Sequence, residues 1–270
     1  MTSISEDTSA AAQLCAQHGR ALTIGEDRHA LTVGFFGTSI MEHLEGYNAL
    51  LTDQANLPKV GSKVTVEGWH QRGWVHRLSL GLRAGFPHVA FNIRNHGVGG
   101  ATSRDIAKIV ADDRTTNSVD YDLVFLGCGI NDVWRCFQGR TAEAVRIEEY
   151  TRHTNAMLAQ LGGYSRQVVV ISETPFGAIE EPETVGKMNA ELARYNEAAA
   201  KAAADHGALF LDVWAPFIAV ARQLASAPAN HEIAGLWSDG VHLSELGDTV
   251  LLRQAEHFLA AHRTVEKLLA

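Results

Sequence analysis

Five continuous apolar runs of strand length are spaced along the chain. Their interiors, such as Leu123-Val124-Phe125-Leu126 and Val168-Val169-Val170-Ile171, lack the alternation that marks half-exposed strands. Because both faces of such strands must be covered, the runs predict a parallel sheet between two layers of helices. The predicted strands are Leu31–Gly37, Val89–Asn95, Tyr121–Gly127, Gln167–Ser172 and Ala208–Val213.

Segments with apolar residues at helical spacing separate these strands. One stripe comprises Ile147, Tyr150, Thr154, Met157 and Leu161, and another comprises Met188, Leu192, Tyr195 and Ala199. Ser244, a favoured N-cap residue, precedes a last apolar helix. Strands that alternate with helices indicate right-handed βαβ units and a three-layer α/β/α sandwich.

The organisation of the chain favours a single domain over residues 1–270, because no internal repeat or linker composition interrupts it. Residues 1–30 are predicted to form an extension outside the α/β repeat. Residues 42–72 hold several glycines with Pro58 and Trp69, and predict an irregular insertion. Met1–Ala12 lacks the features of a secretory signal, and no apolar run approaches the roughly 20 residues of a membrane helix. We therefore expect a cytoplasmic protein without membrane association.

Composition and charge narrow the class of partner. With 270 residues, of which 46% are hydrophobic, the chain can bury a sizeable core. A net charge of -8 argues against a nucleic-acid surface and favours a small-molecule or neutral substrate. Cys15, Cys128 and Cys136 show no CxxC spacing, and Cys128 is predicted to be a buried thiol. Neither a metal nor an organic cofactor is expected.

Polar segments that follow the predicted strands carry the candidate chemistry. They are Gly37-Thr38-Ser39, Asn95-His96-Gly97, Gly129-Ile130-Asn131-Asp132 and Asp239-Gly240-Val241-His242. The carboxyl ends of parallel strands converge on one crevice, so we expect these segments to lie together. Each segment alone also has a structural interpretation: Ser39 and Asn131 are good helix caps, and Asp132 is suited to structural hydrogen bonding.

Taken together, the segments supply the parts of a serine hydrolase. A serine is a nucleophile only when a base removes its proton and a third group orients that base. His242 is the best candidate base, because Asp239 precedes it by three residues and can reach Nδ1. A Gly97 N–H group and the Asn131 amide are candidate donors to an oxyanion. The glycines from Gly97 onward could equally bind phosphate, but the G-x-G-x-x-G spacing is absent.

The order Ser39, Gly97, Asn131 and His242 resembles the four sequence blocks of the SGNH hydrolases, also called the GDSL esterase/lipase family. Asn95–Thr102 is similar to the family's N-x-G-x-x-G-x-T pattern, Gly129–Asp132 to G-x-N-D, and Asp239–His242 to D-x-x-H. The first block departs from the family, since Thr38 stands where the family usually has Asp.

The resemblance implies a flavodoxin-like parallel five-stranded sheet of order 2-1-3-4-5. It also implies that Ser39 attacks an ester carbonyl, that His242 transfers the proton and that Asp239 orients His242. The Ser39 and Gly97 N–H groups and the Asn131 amide would hold the oxyanion.

The predicted function is hydrolysis of short-chain carboxylic esters, including acetyl groups on a carbohydrate or small alcohol. Tyr47, Trp69, Trp74 and Trp134 are candidates for stacking on sugar rings. Two alternatives stay open: an acyltransferase that uses the same serine, and a non-catalytic binding module on the same fold. A homo-oligomer is compatible with the sequence.

Overall fold

The computed structural model describes residues 29–42, 73–117, 119–226 and 235–270. Nearly all of the predicted N-terminal extension and of the predicted 42–72 insertion lies outside the described residues. Cys15, Tyr47 and Trp69 lie outside them too.

Five parallel strands form one sheet in the order β2-β1-β3-β4-β5, as predicted. The strands are β1 (Ala30–Gly37), β2 (Ala90–Gly97), β3 (Tyr121–Gly127), β4 (Ser165–Ile171) and β5 (Leu209–Leu211). At the carboxyl edge, Gly37 pairs with Gly97 on one side and with Gly127 on the other. A Cβ atom at Gly37 would lie 2.5 Å from Met41 Sδ, so the chain after β1 folds back tightly over this row of glycines.

Four of the five strands have boundaries that differ from the sequence prediction, and β1 differs only by starting one residue earlier, at Ala30. β2 continues two residues beyond Asn95 to Gly97, and β4 covers 165–171 rather than 167–172. β5 has three residues instead of the predicted six, because side chains replace the ladder at its end. The Val213 N–H donates to Ser172 Oγ at 2.9 Å, and the Trp214 N–H donates to Asp212 Oδ1 at 2.8 Å. These bonds direct the chain into the next helix.

Helices cover both faces of the sheet. They are α1 (Trp74–Gly85), α2 (Ser103–Asn117), α3 (Ile130–Phe137), α4 (Ile147–Gly162), α5 (Pro182–Asp205), α6 (Trp214–Ser226), α7 (Glu245–His262) and α8 (Thr264–Leu269). Helix α4 packs between α2 and α5, and α7 packs between α1 and α6. The apolar stripes predicted for α4 and α5 are buried except for Ile147, which is half-buried. Ser244 caps α7 by accepting from the Gly247 N–H. In the described parts of the chain, none of the helices has the length and hydropathy needed to cross a bilayer.

The core on one face of the sheet centres on Trp74, which is fully buried. Its ring packs edge-on against Phe35 and Phe125, whose rings stack on each other with centroids 4.9 Å apart. The predicted role of Trp74 in stacking on sugar rings is therefore wrong, because no face of its indole reaches solvent.

Candidate active site

The first element of the site is a helical turn that begins at Ser39, two residues after the end of β1. The Thr38 carbonyl accepts hydrogen bonds from the N–H groups of Met41 and Glu42, at 2.9 and 3.2 Å. The indole N–H of Trp74 donates to the Ile40 carbonyl at 3.1 Å and holds the turn from below. Main-chain and indole groups thus stabilise the turn. The Ser39 hydroxyl is left to make a different contact.

That contact is with His242, which lies 203 residues further along the chain. Ser39 Oγ and His242 Nε2 are 2.9 Å apart, and His242 Nδ1 lies 2.6 Å from Asp239 Oδ2. The second carboxylate oxygen, Asp239 Oδ1, accepts from the N–H groups of Val241 and His242. With the Nδ1 proton directed at the carboxylate, Nε2 is the acceptor for the serine proton.

Electrostatics favour an ionised Asp239. Partial burial acts to raise the pKa of this carboxyl, but the hydrogen bonds from the His242 ring and from two main-chain N–H groups outweigh burial and lower the pKa below its ordinary value. The side chains of Asp239 and His242 are 54% and 36% exposed, so this part of the site opens directly to solvent.

Gly97 packs against the turn that carries Ser39, and Asn95 ties the two together. The Asn95 amide nitrogen donates to the Met41 carbonyl, while Asn95 Oδ1 accepts from the Gly97 N–H at 2.9 Å. The predicted oxyanion donor therefore makes a hydrogen bond within its own segment. The sequence pattern predicts no separate role for Asn95, and its buried amide is the link between Gly97 and the Ser39 turn that sequence reasoning misses.

Asn131 lies at the second position of α3, after the N-cap residue Gly129. Its side chain is buried, and one of its two amide N–H groups donates to the Ala101 carbonyl at 2.9 Å. The other amide N–H group is not used by this hydrogen bond. Asn131 thus does not cap its helix. It contacts the loop after β2, four residues beyond Gly97.

The structure accordingly joins Ser39, His242 and Asp239 in one chain of hydrogen bonds. It packs Gly97 against the Ser39 turn and connects Asn131 to the Gly97 loop. A profile of the GDSL-like Lipase/Acylhydrolase family matches residues 35–250, a range that includes all four segments. The chain belongs to this family. It is a carboxylic ester hydrolase of the SGNH type.

Similar proteins extend this family assignment. An acetylxylan esterase from Geobacillus stearothermophilus is 26% identical over 177 residues, which are 64% of this chain and 74% of that protein. LAE5, an alpha/beta hydrolase enzyme from the metagenome of Lake Arreo in Spain, is similar in structure with a TM-score of 0.63. It is 25% identical, and the match covers 87% of this chain and 95% of LAE5.

A catalytic mutant of Axe2, an acetylxylan esterase from Geobacillus stearothermophilus, also has a TM-score of 0.63. The match covers 88% of this chain and 95% of Axe2. At 22% identity, this likeness shows that the two proteins share the fold.

Thr38, the departure from the usual GDSL-family block, is buried to 1% exposure. It borders a small cavity together with Gly127, Ser172 and Glu173. The hydrogen bonds that form the Ser39 turn are accepted by the main-chain carbonyl of Thr38. The turn is therefore built without the carboxylate that the family usually carries here.

A second cluster of serine, histidine and acid in this GDSL-family chain has a different character. Ser103 Oγ hydrogen bonds to Asp132 Oδ1 and lies 3.2 Å from His153 Nδ1, while the Ser103 N–H donates to Asp132 Oδ2. Ser103 is fully buried, and burial raises the pKa of Asp132 to about 6. Because no substrate can reach Ser103, this cluster serves to join the start of α2 to α3.

Among the described residues, Cys128 and Cys136 offer no alternative nucleophile. Cys128 is buried as predicted, and burial with the neighbouring charge of Asp132 raises the pKa of its thiol well above the ordinary value. Burial also raises the pKa of Cys136. At neutral pH both thiols are therefore protonated and weakly nucleophilic.

Proposed function

We propose that this GDSL-family protein is a serine esterase that removes short acyl groups, above all acetyl groups from carbohydrates, through an acyl-enzyme intermediate. The observation that carries the proposal is the hydrogen-bonded series Asp239–His242–Ser39, with distances of 2.6 and 2.9 Å between its polar atoms. These distances are within the range at which a base can accept the proton of a nucleophile.

In the first step, Ser39 Oγ attacks the ester carbonyl carbon while His242 Nε2 takes the hydroxyl proton. The ionised Asp239 stabilises the imidazolium that results and keeps the ring in its orientation. The carbonyl oxygen becomes an oxyanion. The Ser39 and Gly97 N–H groups and the Asn131 amide are the proposed donors, and one such donor is typically worth a hundred- to a thousand-fold in turnover.

The geometry of Gly97 adds a condition to this step. Its N–H already donates to Asn95 Oδ1, so it must share its proton with the oxyanion or exchange one acceptor for the other. A negatively charged oxyanion is the stronger acceptor, which favours the exchange as the transition state forms.

The remaining steps regenerate the enzyme. The C–O bond to the alcohol breaks as His242 returns its proton to the leaving oxygen, which leaves an acyl group on Ser39. A water molecule then attacks the acyl carbon, His242 takes a proton from this water, and the carboxylic acid departs as Ser39 recovers the proton. No metal or organic cofactor is required by this sequence of steps.

Two observations support a short acyl group on a sugar. Because the side chains of Asp239 and His242 are exposed, a bulky alcohol bound beside them can extend into solvent. The named relative with 26% identity is an acetylxylan esterase. The predicted stacking by Trp134 remains a proposal, with the indole partly buried against the core and covered on one side by Arg135 at 5.5 Å.

Hydrolysis of p-nitrophenyl esters from acetate to octanoate, alongside acetylated xylo-oligosaccharides, tests this proposal. We expect the highest kcat/KM with acetate, a steady fall with chain length, and release of acetate from the oligosaccharides. Ser39→Ala is the control for background hydrolysis. A preference for octanoate would overturn the acyl assignment. Acetyl transfer to an added sugar in place of acetate release would identify the alternative acyltransferase.

A further inference from the structure

We propose that Asn189 and Asn196 of α5 are positioning residues, the first for the Asp239–His242 turn and the second for Asn131. This inference rests on the proposed function and adds to it two residues that no motif contains. Helix α5 would then support both halves of the active site, the acid–base half and the oxyanion half.

The two asparagines lie seven residues apart, about two helical turns, and so share one face of α5. Asn189 Oδ1 accepts from the Phe176 N–H at 2.7 Å, and its amide nitrogen donates to the Phe176 carbonyl at 3.0 Å. Asn196 binds both main-chain groups of Glu173 in the same way, at 2.8 and 3.1 Å. Each amide therefore fixes one residue of the segment that follows β4, as a neighbouring strand would.

The contact of Asn189 leads to the proposed base. The residue after Phe176, Gly177, donates its N–H to the Gly240 carbonyl at 2.7 Å. Gly240 has a φ of +87°, and a Cβ atom there would lie 2.8 Å from the nitrogen of Ile179. The turn that contains Asp239 and His242 thus rests directly on residues 176–179, with no space between the two backbones.

The contact of Asn196 leads to the proposed oxyanion donor. The Glu173 carboxyl accepts a hydrogen bond from the N–H of Ile130, the first residue of α3. Glu173 is 6% exposed, and its Oε1 atom is without a hydrogen-bond partner. The Asn196 amide thus holds the backbone of the residue whose carboxyl binds the Ile130 N–H. Asn131 is the next residue after Ile130, so this series of contacts reaches the proposed oxyanion donor.

Double-mutant cycles separate positioning from general stabilisation, because residues that act through one another are not additive. We expect Asn189→Ala and Asn196→Ala each to lower kcat roughly ten- to a hundred-fold, with KM changed much less. In an Asp239→Asn background, Asn189→Ala should lower kcat less than about two-fold while Asn196→Ala keeps its full effect. In an Asn131→Ala background, Asn196→Ala should lower kcat less than about two-fold, while Asn189→Ala keeps its full effect.

Asn155→Ala is the matched control, since this helical amide donates to the Thr151 carbonyl and contacts His206 instead of the site. It should leave kcat unchanged in every background. If an alanine variant does not fold, Asn→Asp at the same position replaces it, because aspartate keeps the acceptor for the N–H group and puts a carboxylate oxygen in place of the donor.

The outcomes distinguish this inference from the proposed function. Equal losses of kcat in all backgrounds of an active enzyme would show that both asparagines act only on stability, and would overturn their positioning roles alone. A folded wild-type protein without esterase activity would instead overturn the proposed function, and the positioning roles with it.

Discussion

Gly97 lies so close to the backbone of Glu42 that no side chain fits between β2 and the turn that begins at Ser39. A Cβ atom at Gly97 would be 2.5 Å from Glu42 N and 2.7 Å from the carbonyl carbon of Met41. Main-chain atoms cannot rotate away as the end of a side chain can. Gly97 is thus required for space, in addition to its proposed role as a donor.

Gly97→Ala is therefore expected to displace the Ser39 turn and to lower both stability and activity. Overpacking of this kind costs about 1–3 kcal/mol of unfolding free energy. We expect kcat to fall roughly a hundred-fold, because small displacements at a reacting group have effects of this size. Urea denaturation and p-nitrophenyl acetate kinetics measure the two effects.

Gly186→Ala in α5 is the control, since a Cβ atom there meets nothing within 4 Å. It should leave activity intact and leave stability equal to or about 0.5–1 kcal/mol above wild type. Full activity of Gly97→Ala would contradict the close packing described above.

Asp239→Asn should lower kcat by roughly four orders of magnitude, as loss of the orienting carboxylate does in serine proteases. Asparagine keeps an oxygen for the N–H groups of Val241 and His242, so the turn should fold and the thermal midpoint should change little. Steady-state kinetics and thermal unfolding of the variant provide the test. A fall of only a few-fold would indicate that Ser39 and His242 act as a dyad.

Glu173→Gln should change how stability depends on pH. Burial raises the pKa of Glu173 from 4.5 to about 8 in the folded protein, so the folded state binds its proton more tightly than the unfolded state. This contribution to stability is complete below about pH 4.5 and is lost as the pH rises to about 8. A glutamine side chain does not titrate, so Glu173→Gln should lose no stability from this position over that pH range.

The urea midpoints of Glu173→Gln and wild type, measured at pH 5 and pH 9, test this linkage. We expect the difference in unfolding free energy to move in favour of the variant by on the order of a few kcal/mol between the two pH values. Burial also raises the pKa values of Asp132 and Asp248, to about 6 and 7, but both groups are present in the two proteins, so the comparison isolates the effect of the Glu173 carboxyl. If the difference in unfolding free energy between Glu173→Gln and wild type were the same at both pH values, the raised pKa of Glu173 would be contradicted.

The sheet was predictable because continuous apolar runs of strand length, such as that of β3, are typical of strands covered on both faces. The end of β5 was not predictable, because Val213, the last apolar residue of the predicted strand, donates its N–H to the Ser172 side chain rather than to a neighbouring strand. The replacement of a strand partner by a side-chain partner depends on tertiary contacts, which a local sequence pattern does not contain.

The candidate site likewise has parts that the sequence predicts and parts that only the tertiary structure shows. The proximity of Ser39, Asp239 and His242 could be predicted because the proposed chemistry requires particular residue types at strand ends, and a family pattern records their order. Asn189 and Asn196 could not, since a half-buried asparagine in a helix looks like an ordinary surface residue until its partner backbone is known. The prediction for Trp74 is wrong for a related reason. Aromatic rings occur both in cores and in sugar-binding sites, and the burial of the ring distinguishes the two.

Ser39 is proposed to be an activated nucleophile, and the intact mass of the protein after exposure to a fluorophosphonate tests this role most directly. Wild type, Ser39→Ala and Ser103→Ala are compared, the last as a control serine that also contacts a histidine and an acid. We predict one adduct on wild type and on folded Ser103→Ala, and none on Ser39→Ala. An unlabelled, folded wild-type protein, or an adduct that persists in Ser39→Ala, would contradict this role.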